Sequence, residues 1–299
     1  MSIIIFETKV NKLLTKRKMM PSKKIGLRAF CKYFMAFAWT EHTKHGDGIE
    51  MIDILLNDDN LIGGEKFNSN FVLKFEDLYP DALKNNKTWQ GLLPTLIEFK
   101  GKGLGVGELY LALVIQGWTF ERTDGKGDGK VAGGIRELKK NGASLKPIHK
   151  ALSADQELLN KSIFEGNRAG PINPNKRSQG QGFDKFINWL NNKSNKAEIL
   201  NKYFTDLYTG RDVSSMCEKL SNTNDGKTFY NIIGQEVLKW YKEEDKWHSI
   251  VILDNEKNII ANIYNVDDLS IFKKIQFDWK SAPGKDTQAL AHGYVNIKI

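Results

Sequence analysis

Apolar and polar positions alternate along this chain in two rhythms, and the change from one to the other outlines its elements. In GLRAFCKYFMAFAW, residues 26–39, Phe30, Tyr33, Phe34 and Phe37 recur at the spacing of one helix face and predict a packed helix. Segment 48–100 mixes short apolar runs with Asn, Asp and Gly, and predicts short helices with a strand near NFVLKFEDL. The apolar run Leu109, Leu111, Ala112, Leu113, Val114 and Ile115 predicts a buried helix over about 107–116, entered through Gly105 and Gly107. WTFER, 128–132 and 135–140 then read as three strands. Helical patterns return at 150–165, in FDKFINWLNN and AEILNKYFTDLY, with Trp189 and Tyr203 turned toward a core, and again at 228–244. HSIVILDN follows directly and is apolar without alternation, the pattern of a strand buried on both faces. NIIANIYN, KIQFDWK and YVNIKI predict further strands that extend the sheet or form a small C-terminal β-layer.

These blocks predict a basic, largely helical N-terminal region over 1–98 and a core over 99–299, interrupted at about 150–227 by a loop and a helical insertion. The loop is 166–182, GNRAGPINPNKRSQGQG, whose Gly, Pro and Asn content is unsuited to a core. An apolar fraction of 40% is ample for one large domain or two.

Charge adds a direction. Lysine and arginine exceed aspartate and glutamate by 44 to 36, which favours a polyanionic partner. The excess is steepest at the start, where Lys9, Lys12, Lys16, Arg17, Lys18, Lys23, Lys24, Arg28 and Lys32 face Glu7 alone within the first 32 residues. Lys16, Arg17 and Lys18 are therefore candidate DNA contacts, beside the alternative of a solvated, partly disordered basic arm. Arg168, Lys176 and Arg177 in the long loop are candidates of the same kind, beside the alternative of an ordinary linker.

Cys31 and Cys217 form no zinc or disulfide pattern, the usage of a reducing compartment or an intracellularly assembled particle. MSIIIF is too short for a signal-peptide core, and no apolar run reaches the roughly 18 to 20 residues that cross a bilayer. A protein that is neither secreted nor membrane-spanning is expected.

The densest chemistry lies in GVGELYLALVIQG and GKGDGKVAGGIRELKK. Glu137 and Lys139, two apart on a strand, project to one side of it. A turn at Gly133 and Gly134 pairs 128–132 with 135–139 and brings Asp128 to the same row, so two carboxylates and an amine share a face. That grouping suits phosphodiester hydrolysis: carboxylates hold Mg²⁺, the metal activates a water, and the ammonium orients it or stabilises developing charge. Glu108 opens the buried helix, where an acid in the first turn is favoured by the helix dipole even without a catalytic role. Arg136, a charged residue beside Glu137, predicts an exposed hairpin.

Residues 103–147 resemble the PD-(D/E)XK nucleases, in particular a form found in tailed phages: a Gly-Glu helix, a Gly-Asp strand, and a Glu-x-Lys strand followed by a Gly-containing segment. The resemblance implies a mixed α/β fold, a restriction-endonuclease-like core with a central mixed sheet flanked by helices and helical additions. It implies Asp128 and Glu137 as metal ligands with Glu108 as accessory acid, Lys139 as the catalytic lysine, and Mg²⁺ or Mn²⁺ as cofactor. A helix and a fourth strand follow the Glu-x-Lys strand in that family, so 228–244 and HSIVILDN are expected to return beside it. The implied activity is a phage's metal-dependent DNA endonuclease, in the host cytoplasm or the virion. The alternatives are a head or neck virion protein that uses the fold for assembly with other virion proteins or for DNA contact without cleavage, and a sequence-specific restriction-type enzyme.

Other chemistries find little footing. The glycines at 101, 103, 105 and 107 lack the Gly-Lys-Ser/Thr ending of a phosphate loop, and His149, His248 and His292 stand apart from any nucleophile motif. His42, His45 and Asp47 in TEHTKHGDG read as a glycine-flanked loop with weak metal-site character.

Overall fold

The computed structural model describes residues 2–20, 25–100, 104–120, 128–143, 145, 190–208, 210–224, 226–272, 276–281 and 293–299. The chain divides into two compact units, one of Met1–Asn141 with Asp245–Phe272, the other of Gly142–Glu244 with Lys273–Ile299.

The first unit joins the N-terminal helices to a sheet. Helix α1 (Ile3–Lys16) buries Phe6, Val10, Leu13 and Leu14, and α2 (Ile25–His45) buries Leu27, Phe30, Cys31, Phe34 and Ala38, each a single stripe at helical spacing. The described part of the basic start is thus packed helix. Helix α3 (Gly48–Leu56) packs on α1, and α5 (Lys87–Glu98), which follows the single turn α4 (Asp81–Lys84), packs on α2. Helix α6 (Glu108–Val114) is apolar around most of its circumference, and every one of its residues is buried.

Five strands form one mixed sheet: β1 (Phe71–Lys74), β2 (Gly129–Val131), β3 (Gly134–Lys140), β4 (Ser249–Asp254) and β5 (Ile259–Ile263), in the order β1-β5-β4-β3-β2. β3 and β4 run parallel, Arg136 opposite Ser249 through Lys140 opposite Leu253, and the other pairs are antiparallel. HSIVILDN therefore does return beside the Glu-x-Lys strand, with every residue of β4 buried. Of WTFER, the described residues Trp118–Phe120 supply an isolated antiparallel bridge from Thr119 to Lys130.

Alternation gives the sheet two distinct faces. Leu138, Val251, Leu253 and Ile260 join the core that includes α6 and the N-terminal helices. Residues between them, Glu137, Lys139, Ile250, Ile252, Ala261 and Ile263, project to the other side. Because β1 and the N-terminal helices share a unit and a core with β2 to β5, the expected boundary at 98/99 falls inside one body.

The second unit holds α7 (Lys196–Leu207), α8 (Ser214–Ser221), α9 (Gly226–Asp245) and an antiparallel ribbon of β6 (Gln276–Ser281) and β7 (Gly293–Lys298). α7 and α8 pack together, burying Leu200, Tyr203, Phe204, Met216, Cys217 and Leu220. The expected helix at 150–165, the loop at 166–182, Trp189, His149 and His292 lie outside the described residues.

Candidate active site

The hairpin that carries Asp128, Glu137 and Lys139 turns one residue earlier than the glycine pair predicts. Ala132 and Gly133 occupy the turn with φ of 47° and 75°, and Val131 pairs with Gly134. Positive φ at both central residues is what a two-residue turn of this hand requires. Gly134 belongs to β3, where a side chain has little room: a Cβ there would lie 2.7 Å from Arg136 Nη2 and 3.1 Å from His248 Cβ.

Asp128 stands just before β2, one step beyond the Gly129–Arg136 pair. Its amide donates to the Arg136 carbonyl at 2.8 Å, and its Oδ2 accepts the amide of Leu138, also at 2.8 Å. Leu138 is the residue between Glu137 and Lys139, so the Asp128 carboxylate is anchored at the middle of the Glu-x-Lys strand. Lys139 Nζ lies 2.5 Å from Glu137 Oε1, an ion pair of two largely buried side chains. Three of the four expected residues thus share one hairpin.

Glu108 does not join them. It is buried at the start of α6, where Oε1 accepts the amide of Gly105 at 2.5 Å, tying down the loop that enters the helix. Gly107 just before it has φ +80°, and a Cβ there would lie 2.3 Å from Leu253 Cδ1. Leu253 therefore faces α6. Its neighbour Ile252, the register partner of Lys139, faces away, and so do Lys139 and Glu137. Among the described residues no group of three or more His, Cys, Asp or Glu is placed to hold a metal ion. Glu108, Asp128 and Glu137 thus do not form one such group.

Arg136, read from sequence as a sign of exposure, is fully buried. Nη1 donates to the Phe67 carbonyl at 2.9 Å and Ser249 Oγ at 3.0 Å, and Nη2 to Asn68 Oδ1 at 2.7 Å and the Val131 carbonyl at 3.2 Å. Asn262 from β5 donates to the same Phe67 carbonyl at 3.1 Å. Burial pushes the guanidinium down to about 10, still charged at neutral pH. The residue holds the hairpin turn, β4 and the 3₁₀ turn Gly64–Asn68 together. Asp254 is a second buried polar residue that patterning missed: it ends β4, accepting Asn141 Nδ2 at 2.7 Å and the amides of Glu256 and Lys257 at 3.1 Å.

Two of the expected N-terminal DNA contacts are engaged in the fold. Arg17 is buried, its Nη1 2.8 Å from Asp58 Oδ1 and its Nη2 donating to the Leu55 carbonyl, and Lys16 Nζ reaches Asp58 Oδ2 at 2.9 Å and the Leu56 carbonyl at 2.6 Å. Partial burial raises the Asp58 carboxyl, but hydrogen bonds and charge from Lys16 and Arg17 outweigh it and leave the group below its ordinary value. Lys18 is exposed. Arg168, Lys176 and Arg177 lie outside the described residues. His42 and His45 belong to the last turns of α2 and not to a loop; His42 Nδ1 accepts the Gly48 amide, and Asp47 accepts the Lys87 and Thr88 amides that open α5. Cys31 and Cys217 are free and buried, each thiol raised to about 11 by burial. No helix among the described residues is long and apolar enough to cross a membrane.

Compared with family models, curated proteins and solved structures, the chain finds no match.

Proposed function

We propose that the first unit is built on a restriction-endonuclease-like core and that the chain is a metal-dependent DNA endonuclease of a phage. The observation that carries this reading is the carboxylate of Asp128 bound to the amide between Glu137 and Lys139, which gathers two acids and an amine on one hairpin. The order of elements supports it: helix α6, the bridge at Thr119, the β2–β3 hairpin, and β4 returning parallel to β3 after the long intervening segment.

In this reading Asp128 and Glu137 hold a divalent cation, Mg²⁺ or Mn²⁺, which when bound supplies an activated water and neutralises charge on the phosphate. Lys139, paired with Glu137, exchanges that partner for the phosphate and stabilises the charge growing there. Glu108 is a loop anchor in this scheme.

Supercoiled plasmid incubated with the purified protein and Mg²⁺ tests the reading. Nicking or cutting is expected, falling by about 10² or more in Glu137→Ala and Lys139→Ala. An inert wild type, or variants that cut equally well, would overturn it. A second reading is a virion protein that contacts DNA or other virion proteins without cleavage. Its signature is plasmid retarded in a gel yet intact, with the protein at fixed copy number in particles; discrete fragments would instead mark a restriction-type enzyme.

A further inference from the structure

Helix α2 buries one side against α5 and leaves the other to solvent. On the open side stand Arg28, Ala29, Lys32, Tyr33, Ala36 and Thr40, all exposed. Arg28 and Lys32 are one turn apart and, among the described residues, neither takes part in an ion pair. Like charges at this spacing repel by a few tenths of a kcal/mol in an isolated helix, so the pair gains from an anion laid across it. The one acid of α2, Glu41, is buried and held by Lys44 and His45. Beyond α2, exposed Glu98 and Lys100 flank Phe99 and cancel each other.

Beside these cations lies a ring. Tyr33 is 37% exposed, is stacked on Phe37 with centroids 5.5 Å apart and planes 14° apart, and meets Phe99 at 6.0 Å. Two aromatic neighbours hold the ring in place, so little side-chain freedom remains to be lost when something stacks on it.

We infer that this face of α2 binds single-stranded DNA, with a base against the exposed part of the Tyr33 ring and backbone phosphates on Arg28 and Lys32. Aromatic platforms flanked by unpaired cations bind unstacked strands with little regard to sequence, because every base offers a π-face. A duplex keeps its bases paired and stacked and offers Tyr33 nothing to stack on. The choice of DNA rests on the proposed function; the cationic, aromatic character of the face stands without it.

Anisotropy of a fluorescent oligothymidine, titrated with the full chain in EDTA, reads binding without cleavage. Tyr33→Ala should weaken affinity at least about tenfold, while Tyr33→Phe keeps it. Arg28→Gln with Lys32→Gln should lower the slope of log affinity against log salt by about 1.4, at about 0.7 per phosphate contact. This double variant leaves the packed rings untouched and decides the matter if Tyr33→Ala fails to fold. No binding, an unchanged salt slope, or preference for duplex or for oligouridine would overturn the inference. Plasmid cleavage in Mg²⁺ is read separately, so an inactive protein that binds oligothymidine sinks the hydrolytic reading and not this one.

Discussion

Asp128 accepts the backbone amide of Leu138 at 2.8 Å, so a side chain at the start of one strand closes a ladder position on the next. Two roles are combined in that bond, and substitution separates them. Asp128→Asn keeps an acceptor oxygen and should leave the urea midpoint nearly unchanged. Asp128→Ala leaves the amide without it, at a cost of about 1–3 kcal/mol. If Asp128 also serves hydrolysis, both variants lose cleavage although only the second loses stability. Asn with full cleavage would remove Asp128 from the chemistry.

Arg136 gives a purely structural prediction. Its guanidinium serves four acceptors from the hairpin turn, β4 and the Gly64–Asn68 turn, and a lysine offers one ammonium in place of that planar fork. Arg136→Lys should cost about 2 kcal/mol and Arg136→Leu about 3–5 kcal/mol, because the leucine withdraws every guanidinium donor from these buried acceptors. Chemical unfolding measures both. A leucine variant as stable as wild type would show that the buried charge is dispensable.

The same residue shows where the sequence was legible and where it was not. The glycine turn and the Glu-x-Lys spacing located β3, an apolar run without alternation located β4 as a strand buried on both faces, and the family resemblance set β4 beside β3, where it lies. Patterning counts a charged residue as a surface residue, however, and Arg136 is inside because its partners include a carbonyl 69 residues away in sequence and a serine hydroxyl 113 residues away. The turn is displaced by one residue: Ala132 takes the positive φ expected of a glycine, while Gly134 lies in β3 with the guanidinium packed against it. Asp128, Glu137 and Lys139 could be grouped from local spacing because a hairpin is a local structure. Glu108 could not, since its position relative to them depends on which sheet face α6 covers, and Leu253, far along the chain, decides that.

Glu108 supplies the third prediction. Its carboxylate accepts the Gly105 amide inside the core, a bond that a glutamine oxygen can also accept. Glu108→Gln should therefore melt within a degree or two of wild type, while Glu108→Ala loses about 1–3 kcal/mol. Plasmid cleavage, where wild type shows it, should survive in Glu108→Gln. A hundredfold loss in the glutamine variant would reinstate Glu108 as an acid of the site and require α6 to move toward the hairpin when DNA binds.

Asp47 sets a pH limit on the N-terminal helices. Partial burial raises its carboxyl, but the Thr88 hydroxyl and the amides of Lys87 and Thr88 outweigh that and leave it below the ordinary 3.8. A carboxylate depressed in the folded state contributes stability that is fully present above the unfolded value and is lost as pH falls through the lower folded value. Stability should thus be flat in this group's contribution above about pH 5 and decline below pH 4, where the unfolded chain takes up its proton first. Asp47→Ala removes a cap from the first turn of α5, costs about 1 kcal/mol at neutral pH, and should show a shallower acid decline than wild type. Urea midpoints of both proteins from pH 3 to 7 measure the difference, and parallel curves would mean that Asp47 titrates alike in the folded and unfolded chain.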